Sequence, residues 1–387
     1  MSKRKNVGIA GYATLKNYGD TFIVKCNEYL VDSLGDYDIT TIDFEVKMNI
    51  IHKCLYYAIL VLSKVFKKNS LGAKFELLAV NINCRHYYKK QIKKVDALIF
   101  AGGSLKFGTQ KQWACESILI DLAEKKYIPV MFNGCNIQKY NQENWKCRYL
   151  TKRLNKKCVK MITSRDGQYG ADRLRKEYHV RKDIGCFGVG DTAYWIPEAY
   201  HYKKNDNANK LGINLINGGI FKRYGNNLSE DQLLNAYCEL LNLLDKNNLD
   251  WELFTNGLEI DKKFGQKLLK QYGREDINIK EPHSDVELLD IISNYKGILG
   301  ARLHACICAY SLDIPFIGMI WDEKLFYFSK IAGIEKYMLN ENNITGPKLY
   351  NILINILNDE ELDYALLRNK YKNLNRKYVQ KFLEENV

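Results

Sequence analysis

The sequence predicts an α/β protein built from two Rossmann-like, doubly wound domains that face each other across a cleft. Short apolar runs alternate with longer segments of helical period, as in a parallel sheet with crossover helices. The alternation stops at a polar, turn-rich stretch, residues 197–209, and then starts again. A chain of 387 residues also exceeds what one hydrophobic core normally supports. We therefore expect two domains joined by a linker.

Residues 1–196 form the first predicted domain. Short apolar runs predict strands at 7–10, 39–44, 97–101, 129–133 and 160–164. Apolar residues that recur every three or four positions predict helices at 21–34, 110–126, 144–157 and 169–178. Because strands and helices alternate along this half, one doubly wound unit is expected.

Residues 210–345 form the second predicted domain, and residues 346–387 a charged helical tail. The predicted strands are 211–216, 251–255, 277–280, 297–299 and 316–320. The predicted helices are 229–246, 260–271, 285–294 and 303–310. The first of these helices has a capping-box start, with Gln232 three positions after Ser229. Ligands of such folds bind at the carboxyl ends of the strands, so a site is expected in the strand-to-helix turns.

Composition narrows the classes of partner. A hydrophobic fraction of 46% and a charged fraction of 27% are those of an ordinary folded chain. The net charge of +13 favours anionic partners, but the basic residues are scattered without a nucleic-acid motif, so no nucleic-acid partner is expected. Eleven cysteines at irregular spacing, with no CxxC, argue against disulfides and zinc and favour the cytoplasm.

One segment, residues 51–68 (IHKCLYYAILVLSKVFKK), is unusually apolar. Its uninterrupted apolar part, residues 55–62, is too short to span a bilayer, which takes about 20 residues. Lysines flank an aliphatic and aromatic face, which is typical of a helix that lies on a membrane surface. A buried helix explains the same pattern, so both interpretations stay open.

Two turns of the first domain contain glycine after a predicted strand. In GYATLKNYGD, Gly19 lies just before a helix, where free amides suit an anion or a sugar hydroxyl. Asp20 either caps that helix or belongs to a site. The turn does not match GxGxxG, so a dinucleotide site is not supported. In AGGSL, Gly102 and Gly103 allow a ligand or another backbone to approach closely.

Two further turns of this domain carry charged side chains. Asp166 in TSRDGQYG is expected to cap the next helix and leave Arg165 free to reach into the cleft, with a surface pair between these two residues as the alternative. Asp191 in GDTAYW lies beside the linker. We expect it to hold the hinge rather than to take a proton.

The most informative stretch is GARLHACICAYSLDIPFIGMIWDEK, residues 300–324. Arg302 and His304 bracket the first turn of a helix that follows an apolar strand. A guanidinium together with the positive end of a helix makes a carboxylate or phosphate clamp. A bound anion would favour the protonated, acid form of His304. Lys324 is placed to reach the same anion, unless it simply follows a helix start capped by Asp322.

These stretches together resemble the polysaccharide pyruvyl transferase family. The resemblance rests on NYGD at 17–20, AGGSL at 101–105, SRD at 164–166, GDTAYW at 190–195 and, most specifically, 300–324. It implies a fold similar to the two-domain glycosyltransferase-B architecture, with the acceptor side in the first domain and the donor side in the second. It also implies transfer of a pyruvate ketal from phosphoenolpyruvate to a sugar hydroxyl pair of a surface polysaccharide, such as an exopolysaccharide or capsule, or of its precursor.

The resemblance also implies site residues. The family's Arg-Leu-His motif contacts the donor, which maps onto Arg302, Leu303 and His304, and Arg165 of the SRD turn is a further donor contact. The remaining residues expected at the substrates are Asn17, Gly19, Asp20, Gly102, Gly103, Ser104, Asp191 and Lys324. The family's glycine triplet is reduced here to a pair behind Ala101.

The chemistry of an enol phosphate agrees with these residues. Adding an alcohol to C2 requires a proton at C3, and His304 is the expected acid because an imidazole can give and regain a proton near neutral pH. Arg302 and Arg165 would bind the carboxylate and phosphate, so neither a metal ion nor a cofactor is expected. A lipid-linked oligosaccharide acceptor would bring the enzyme to the inner face of the plasma membrane as a peripheral protein.

Two alternatives keep the fold. A glycosyltransferase would take a nucleotide sugar, with Asp322 or Glu323 holding the ribose. A non-catalytic protein of polysaccharide assembly would only bind an anion, and His304→Ala would then change nothing. The two enzyme activities differ in the product that they release. Ketal transfer from phosphoenolpyruvate releases phosphate, and transfer from a nucleotide sugar releases nucleoside diphosphate.

Overall fold

The computed structural model describes residues 4–15, 17–47, 50–66, 70–105 and 111–387. The chain divides into two compact units. Unit 1 consists of the described residues of Met1–Leu15, Ile23–Thr192 and Tyr371–Val387. Unit 2 consists of those of Lys16–Phe22 and Ala193–Lys370.

A parallel sheet forms the centre of unit 1. Its strands, in the described residues, are β1 (Lys5–Gly11), β2 (Tyr37–Asp43), β3 (Ala97–Ala101), β4 (Ser104–Leu105), β5 (Val130–Ile137), β6 (Val159–Ser164) and β7 (Gly185–Gly188). Their order is β2-β1-β3-β5-β6-β7, with β4 beside β5. Val7 pairs with both Ile39 and Ala97, which places β1 between β2 and β3.

The connections of unit 1 are helical. The helices are α1 (Tyr18–Asp32), α2 (Ile50–Val65), α3 (Ser70–Ile92), α4 (Gln112–Lys126), α5 (Trp145–Leu154) and α6 (Gln168–Lys176). Helices cover a parallel sheet on both faces, so its central strands are buried and mostly apolar. All residues of β3 and β5 are buried, and the rings of Phe100 and Phe132 stack with centroids 4.4 Å apart.

A second parallel sheet forms the centre of unit 2. Its strands, within the described chain, are β8 (Lys210–Asn214), β9 (Trp251–Phe254), β10 (Tyr295–Gly300), β11 (Phe316–Met319) and β12 (Met338–Leu339), in the order β12-β11-β10-β8-β9. The helices after β7 in the described chain are α7 (Ile196–Tyr200), α8 (Ile220–Arg223), α9 (Glu230–Lys246), α10 (Glu259–Tyr272), α11 (Asp285–Ser293), α12 (Leu303–Ser311), α13 (Glu323–Ala332), α14 (Gly346–Leu357) and α15 (Ala365–Asn386).

Several local predictions can be compared with the structure. The capping box of Ser229 and Gln232 at the start of α9 is confirmed. The strand predicted at 277–280 is wrong, since its residues form one isolated bridge, Phe254 to Lys280. The run contains only two apolar residues, and Pro282, which cannot donate to a ladder, follows two positions after its end.

The outer boundaries also differ from the prediction in detail. The stretch predicted as a linker, residues 197–209, begins within α7. The residues predicted as one tail, 346–387, form α14 and α15, and those from Tyr371 onward belong to unit 1.

Both sheets share a feature that marks where ligands bind. In unit 1 the chain order reverses beside β1, and in unit 2 it reverses beside β8. Ligands of open α/β sheets bind outside the carboxyl ends of the strands at such a reversal. The turns after β1, β3, β8 and β10 occupy these positions, and those after β1, β3 and β10 carry sequence motifs, whereas SRD and GDTAYW follow β6 and β7.

Candidate active site

A fixed turn joins β10 to α12 in unit 2. The backbone N–H groups of Ala301 and Arg302 donate to Oδ1 of Asn214, the last residue of β8, at 3.2 and 2.9 Å. Asn214 in turn donates from Nδ2 to Oδ1 of Asn256 at 2.9 Å. Trp321 donates from its indole N–H to the Ala301 carbonyl at 2.8 Å. These bonds hold the entry to α12 at the carboxyl ends of neighbouring strands.

The Arg302 guanidinium is held by Asp261. Nε and Nη2 of Arg302 donate to the two carboxylate oxygens of Asp261 at 2.9 and 2.6 Å, and the Asn217 N–H donates to the same carboxylate at 2.8 Å. The Asp261 side chain is fully buried, whereas that of Arg302 is 16% exposed. Such a two-bond fork fixes the plane of the guanidinium. The pair leaves Nη1 of Arg302 outside the fork.

His304 packs against the first turn of α1. All nine residues of α12 are buried, and His304 is 9% exposed. A Cβ atom added at Gly19 would lie 2.1 Å from Nδ1 of His304, closer than any real contact. Only glycine therefore allows the imidazole to occupy this place, which gives the NYGD turn a direct role in positioning His304.

Substituting Gly19 with alanine is expected to lower turnover by about 10²-fold, because the added methyl group displaces the imidazole of His304, the acid predicted from the sequence, and small misplacements of a catalytic group are costly. The measurement is steady-state kinetics, with the thermal unfolding midpoint as a check of folding. Gly219→Ala is the matched control, since its methyl group would meet nothing closer than Asn217 Oδ1 at 3.7 Å. Equal activity of the two variants would contradict the contact.

The rest of the NYGD turn is closed by a local bond. Nδ2 of Asn17 donates to Oδ2 of Asp20 at 2.8 Å. Asp20 lies inside the first turn of α1, so the alternative in which it caps the helix is wrong. The helix begins at Tyr18, earlier than predicted, and this shifts Asp20 past the capping position.

The end of the 300–324 stretch is a helix start. Asp322 caps α13 by accepting from the N–H groups of Lys324 and Leu325 at 3.1 and 3.2 Å. Nζ of Lys324 lies 3.5 Å from the other oxygen of Asp322. The interpretation of Asp322 as a cap is therefore confirmed, and the Lys324 ammonium is paired with that cap.

In unit 1 the AGGSL turn needs both of its glycines. Gly102 and Gly103 have φ angles of +50° and +78°, which other residues rarely adopt. A Cβ atom at Gly102 would lie 2.6 Å from Ile23 Cγ2, and one at Gly103 would lie 2.8 Å from Gln112 Nε2. The backbone conformation thus explains why both positions are glycine. For Ser104 the structure describes only the backbone, in β4, and its side chain lies outside the description.

A buried acid beside this turn was not predicted from the sequence. Glu116 is 1% exposed, and Gln112 donates to its Oε1 at 2.8 Å. Burial raises the pKa of Glu116 to about 8, against a hydrogen bond from Gln112 that lowers it. Glu116 is therefore largely protonated at neutral pH. Nothing in the sequence of α4 indicates that Glu116 is buried, since a glutamate in a helix is ordinarily exposed.

The charged turns of unit 1 are paired differently from the prediction. Nη1 of Arg165 donates to Oδ2 of Asp191 at 2.5 Å, with 7% and 3% of the two side chains exposed. Both predicted states of Arg165, free or paired with Asp166, are wrong. The reach of an arginine side chain lets it bind a carboxylate 26 residues away, which spacing along the sequence does not indicate.

Asp166 does not cap α6. It accepts from Asn136 Nδ2 at 2.9 Å and from the Ile137 N–H at 2.7 Å, so its carboxylate ties β6 to β5. Burial raises the pKa of Asp166, and these bonds oppose that rise. The N-cap residue of α6 is Gly167, whose φ of +65° is a conformation that glycine adopts readily.

The predicted site residues thus fall into two groups. Unit 2 holds Asn17, Gly19, Asp20, Arg302, Leu303, His304 and Lys324, and unit 1 holds Gly102, Gly103, Ser104, Arg165 and Asp191. Within unit 2 the structure brings Gly19 against His304. Within unit 1 it joins Arg165 to Asp191. Asp261 and Asn214, which hold Arg302, are the functional candidates that sequence reasoning missed.

Solved structures share this architecture. A candidate UDP-N-acetylglucosamine 2-epimerase from Listeria monocytogenes is 10% identical, covers 99% of this chain and 96% of its own, and has a TM-score of 0.61. S. aureus MnaA with UDP is 12% identical, at 97% and 94% coverage and a TM-score of 0.56. A Neisseria meningitidis UDP-GlcNAc 2-epimerase with UDP-GlcNAc is 13% identical, at 99% and 100% coverage and a TM-score of 0.52. The predicted fold class, two Rossmann-like units of the glycosyltransferase-B type, is confirmed.

The comparison with protein families defines the class of protein, which the fold alone does not. The polysaccharide pyruvyl transferase family model matches residues 17–323, which include every candidate site residue except Lys324. This chain belongs to the polysaccharide pyruvyl transferase family and is a transferase. A comparison with curated proteins finds no match.

Proposed function

We propose that this transferase moves a pyruvate ketal from phosphoenolpyruvate to a pair of sugar hydroxyl groups in a surface polysaccharide, such as an exopolysaccharide or capsule, or in its precursor. Membership of the family supports the reaction class. The observation that carries the assignment of the donor is the Arg302 guanidinium, held in plane by Asp261 two residues before His304.

The guanidinium of Arg302 is held in an orientation that suits the binding of a small anion. Asp261 takes Nε and Nη2, so Nη1 is the nitrogen that we assign to a carboxylate or phosphate oxygen of the donor. Asp261 also neutralises the formal charge of Arg302. The net positive field for the donor must then come from the amino end of α12 and from a protonated His304.

His304 supplies the proton. As C3 of phosphoenolpyruvate takes the proton from His304, the first sugar oxygen bonds to C2, where positive charge develops. The second sugar oxygen then bonds to C2 while the C2–O bond to phosphate breaks and the phosphate leaves with the electron pair. One hydroxyl proton restores the proton that His304 gave to C3, and the other hydroxyl proton leaves with the phosphate, so the reaction balances.

We assign the remaining predicted site residues either to the donor or to the sugar. Arg165, bound to Asp191, is assigned to the donor's phosphate, and no metal or cofactor enters the scheme. The turns with Gly102 and with Asn17 are assigned to the sugar, since open backbone turns at strand ends suit hydroxyl groups. A lipid-linked oligosaccharide fits the acceptor role.

A second candidate is a glycosyltransferase that takes a nucleotide sugar. It is favoured by fold neighbours whose structures contain UDP or UDP-GlcNAc. In this chain Oδ1 of Asp322 caps α13 and Oδ2 lies 3.5 Å from Lys324 Nζ, so a ribose would have to compete with Lys324 for Asp322 or bind Glu323.

The test is incubation of the full chain with phosphoenolpyruvate and a panel of mono- and oligosaccharides. We expect phosphate release that depends on the sugar, and a product whose mass has increased by one carboxyethylidene group. Parallel reactions with UDP-sugars test the second candidate through release of UDP. Sugar-dependent UDP release without ketal formation would overturn the proposal.

A further inference from the structure

Helix α2 exposes most of its apolar surface. Its sequence is apolar around nearly the whole circumference, and its packing partner is α3. Ile59 is buried at 9% exposure, but Val61 is 58% exposed and Val65 is 70% exposed. A helix that is apolar all round is normally enclosed by protein or lipid. The buried-helix interpretation of residues 51–68 is therefore wrong for the described part, and residues 67–68 lie outside it.

Further large apolar side chains are exposed on α2 and on α3, the helix that packs against it. Leu55 and Tyr57 are 44% and 53% exposed, and Phe66, which follows α2, is 36% exposed. On α3, Leu71 and Leu78 are 39% and 45% exposed and lie seven positions apart, on one face of the helix. Large exposed apolar patches on a folded protein mark interaction sites.

The charged side chains of α2 are all basic. The helix contains no aspartate or glutamate, and Lys53 and Lys64 are exposed. Lys74 of α3 is exposed as well. Lysines beside an apolar face complement a bilayer with anionic headgroups.

The length of α2 limits the mode of binding. Its 16 residues extend about 24 Å, less than the roughly 30 Å of a hydrocarbon core. Across the described residues, no helix is long and apolar enough to cross a membrane. A surface position parallel to the bilayer is the arrangement that buries the apolar face and leaves the lysines at the headgroups.

We propose that α2 is an interfacial helix that binds the chain to an anionic phospholipid surface. The proposal is independent of the reaction, because none of the α2 residues belongs to the candidate active site. It would bring the enzyme to the surface where a lipid-linked acceptor resides.

The test is flotation of the full chain with vesicles of phosphatidylcholine alone or mixed with phosphatidylglycerol. We expect binding to the mixed vesicles, weaker binding at high salt, and little binding to phosphatidylcholine alone. The variant Val61→Glu with Val65→Glu should lower the bound fraction about tenfold or more, since it removes two apolar side chains and adds like charge. Leu366→Glu, at a leucine 75% exposed on α15, is the matched control and should bind like the parent.

Sedimentation of the parent and the double variant completes the test. No flotation of the parent with anionic vesicles overturns the proposal, and so does equal flotation of parent and double variant. A parent dimer that the double variant dissociates, without vesicle binding, would assign the face to a second copy instead. Pyruvyl transfer to a soluble sugar should be unchanged in the double variant, which separates this outcome from failure of the proposed reaction.

Discussion

Replacing His304 with asparagine is expected to lower kcat for pyruvyl transfer by about 10²–10⁴-fold, because the proton for C3 must then come from water. Asparagine is smaller than histidine and polar, so it fits the space beside Gly19 without a clash. The measurement is sugar-dependent phosphate release at saturating substrate, with the gain in product mass as a second readout.

A histidine outside the site provides the control. His201 is exposed and has a φ of +54°, a conformation that asparagine tolerates well, so His201→Asn should keep both activity and unfolding midpoint. The His304 variant should still bind phosphoenolpyruvate, which calorimetry measures. If its kcat stayed within a factor of two or so of the parent, another group must supply the proton.

Replacing Arg302 with methionine is expected to cost about 3–5 kcal/mol of folding free energy, because it leaves the fully buried Asp261 carboxylate without its charged partner. The KM for phosphoenolpyruvate should also rise, by about 10–100-fold, from loss of a charge-assisted hydrogen bond to the donor. Thermal unfolding and donor titration measure the two effects separately.

The double variant Arg302→Met with Asp261→Asn separates structure from function. It removes the unpaired charge, so most of the lost stability should return, whereas donor binding should stay weak. A double variant with normal KM would mean that Arg302 only stabilises the fold. Asp261→Asn alone keeps the guanidinium but weakens the fork, and an intermediate KM is expected.

Most of the fold could be predicted from the sequence because both sheets are parallel and their central strands are buried, which makes most of these strands apolar runs. β3, Ala97–Ala101, was predicted with its observed bounds. β7, Gly185–Gly188, was missed because two of its four residues are glycine and its burial is only partial. The exposure of α2 could not be predicted, since periodicity does not tell a lipid-facing helix from a core helix.

The site was predictable only in part. Motifs after strands indicated where polar side chains gather, and the turn with Arg302 and His304 lies at a strand end. The partners of these residues were not predictable, because Asp261 and Asn214 are 41 and 88 positions from Arg302 in the sequence. Pairing over such distances depends on the sheet order, which the apolar pattern does not specify.

The last segment of α15 has a consequence for biosynthesis. Residues from Tyr371 onward belong to unit 1, where Arg376 donates to the Ser33 carbonyl at 3.0 Å and Tyr378 stacks on Phe187 with centroids 4.1 Å apart. The ribosome makes these residues only after all of unit 2. During translation, the apolar surface of unit 1 that these residues cover therefore stays exposed until α15 has been made. Chaperones that shield nascent chains can act in that period.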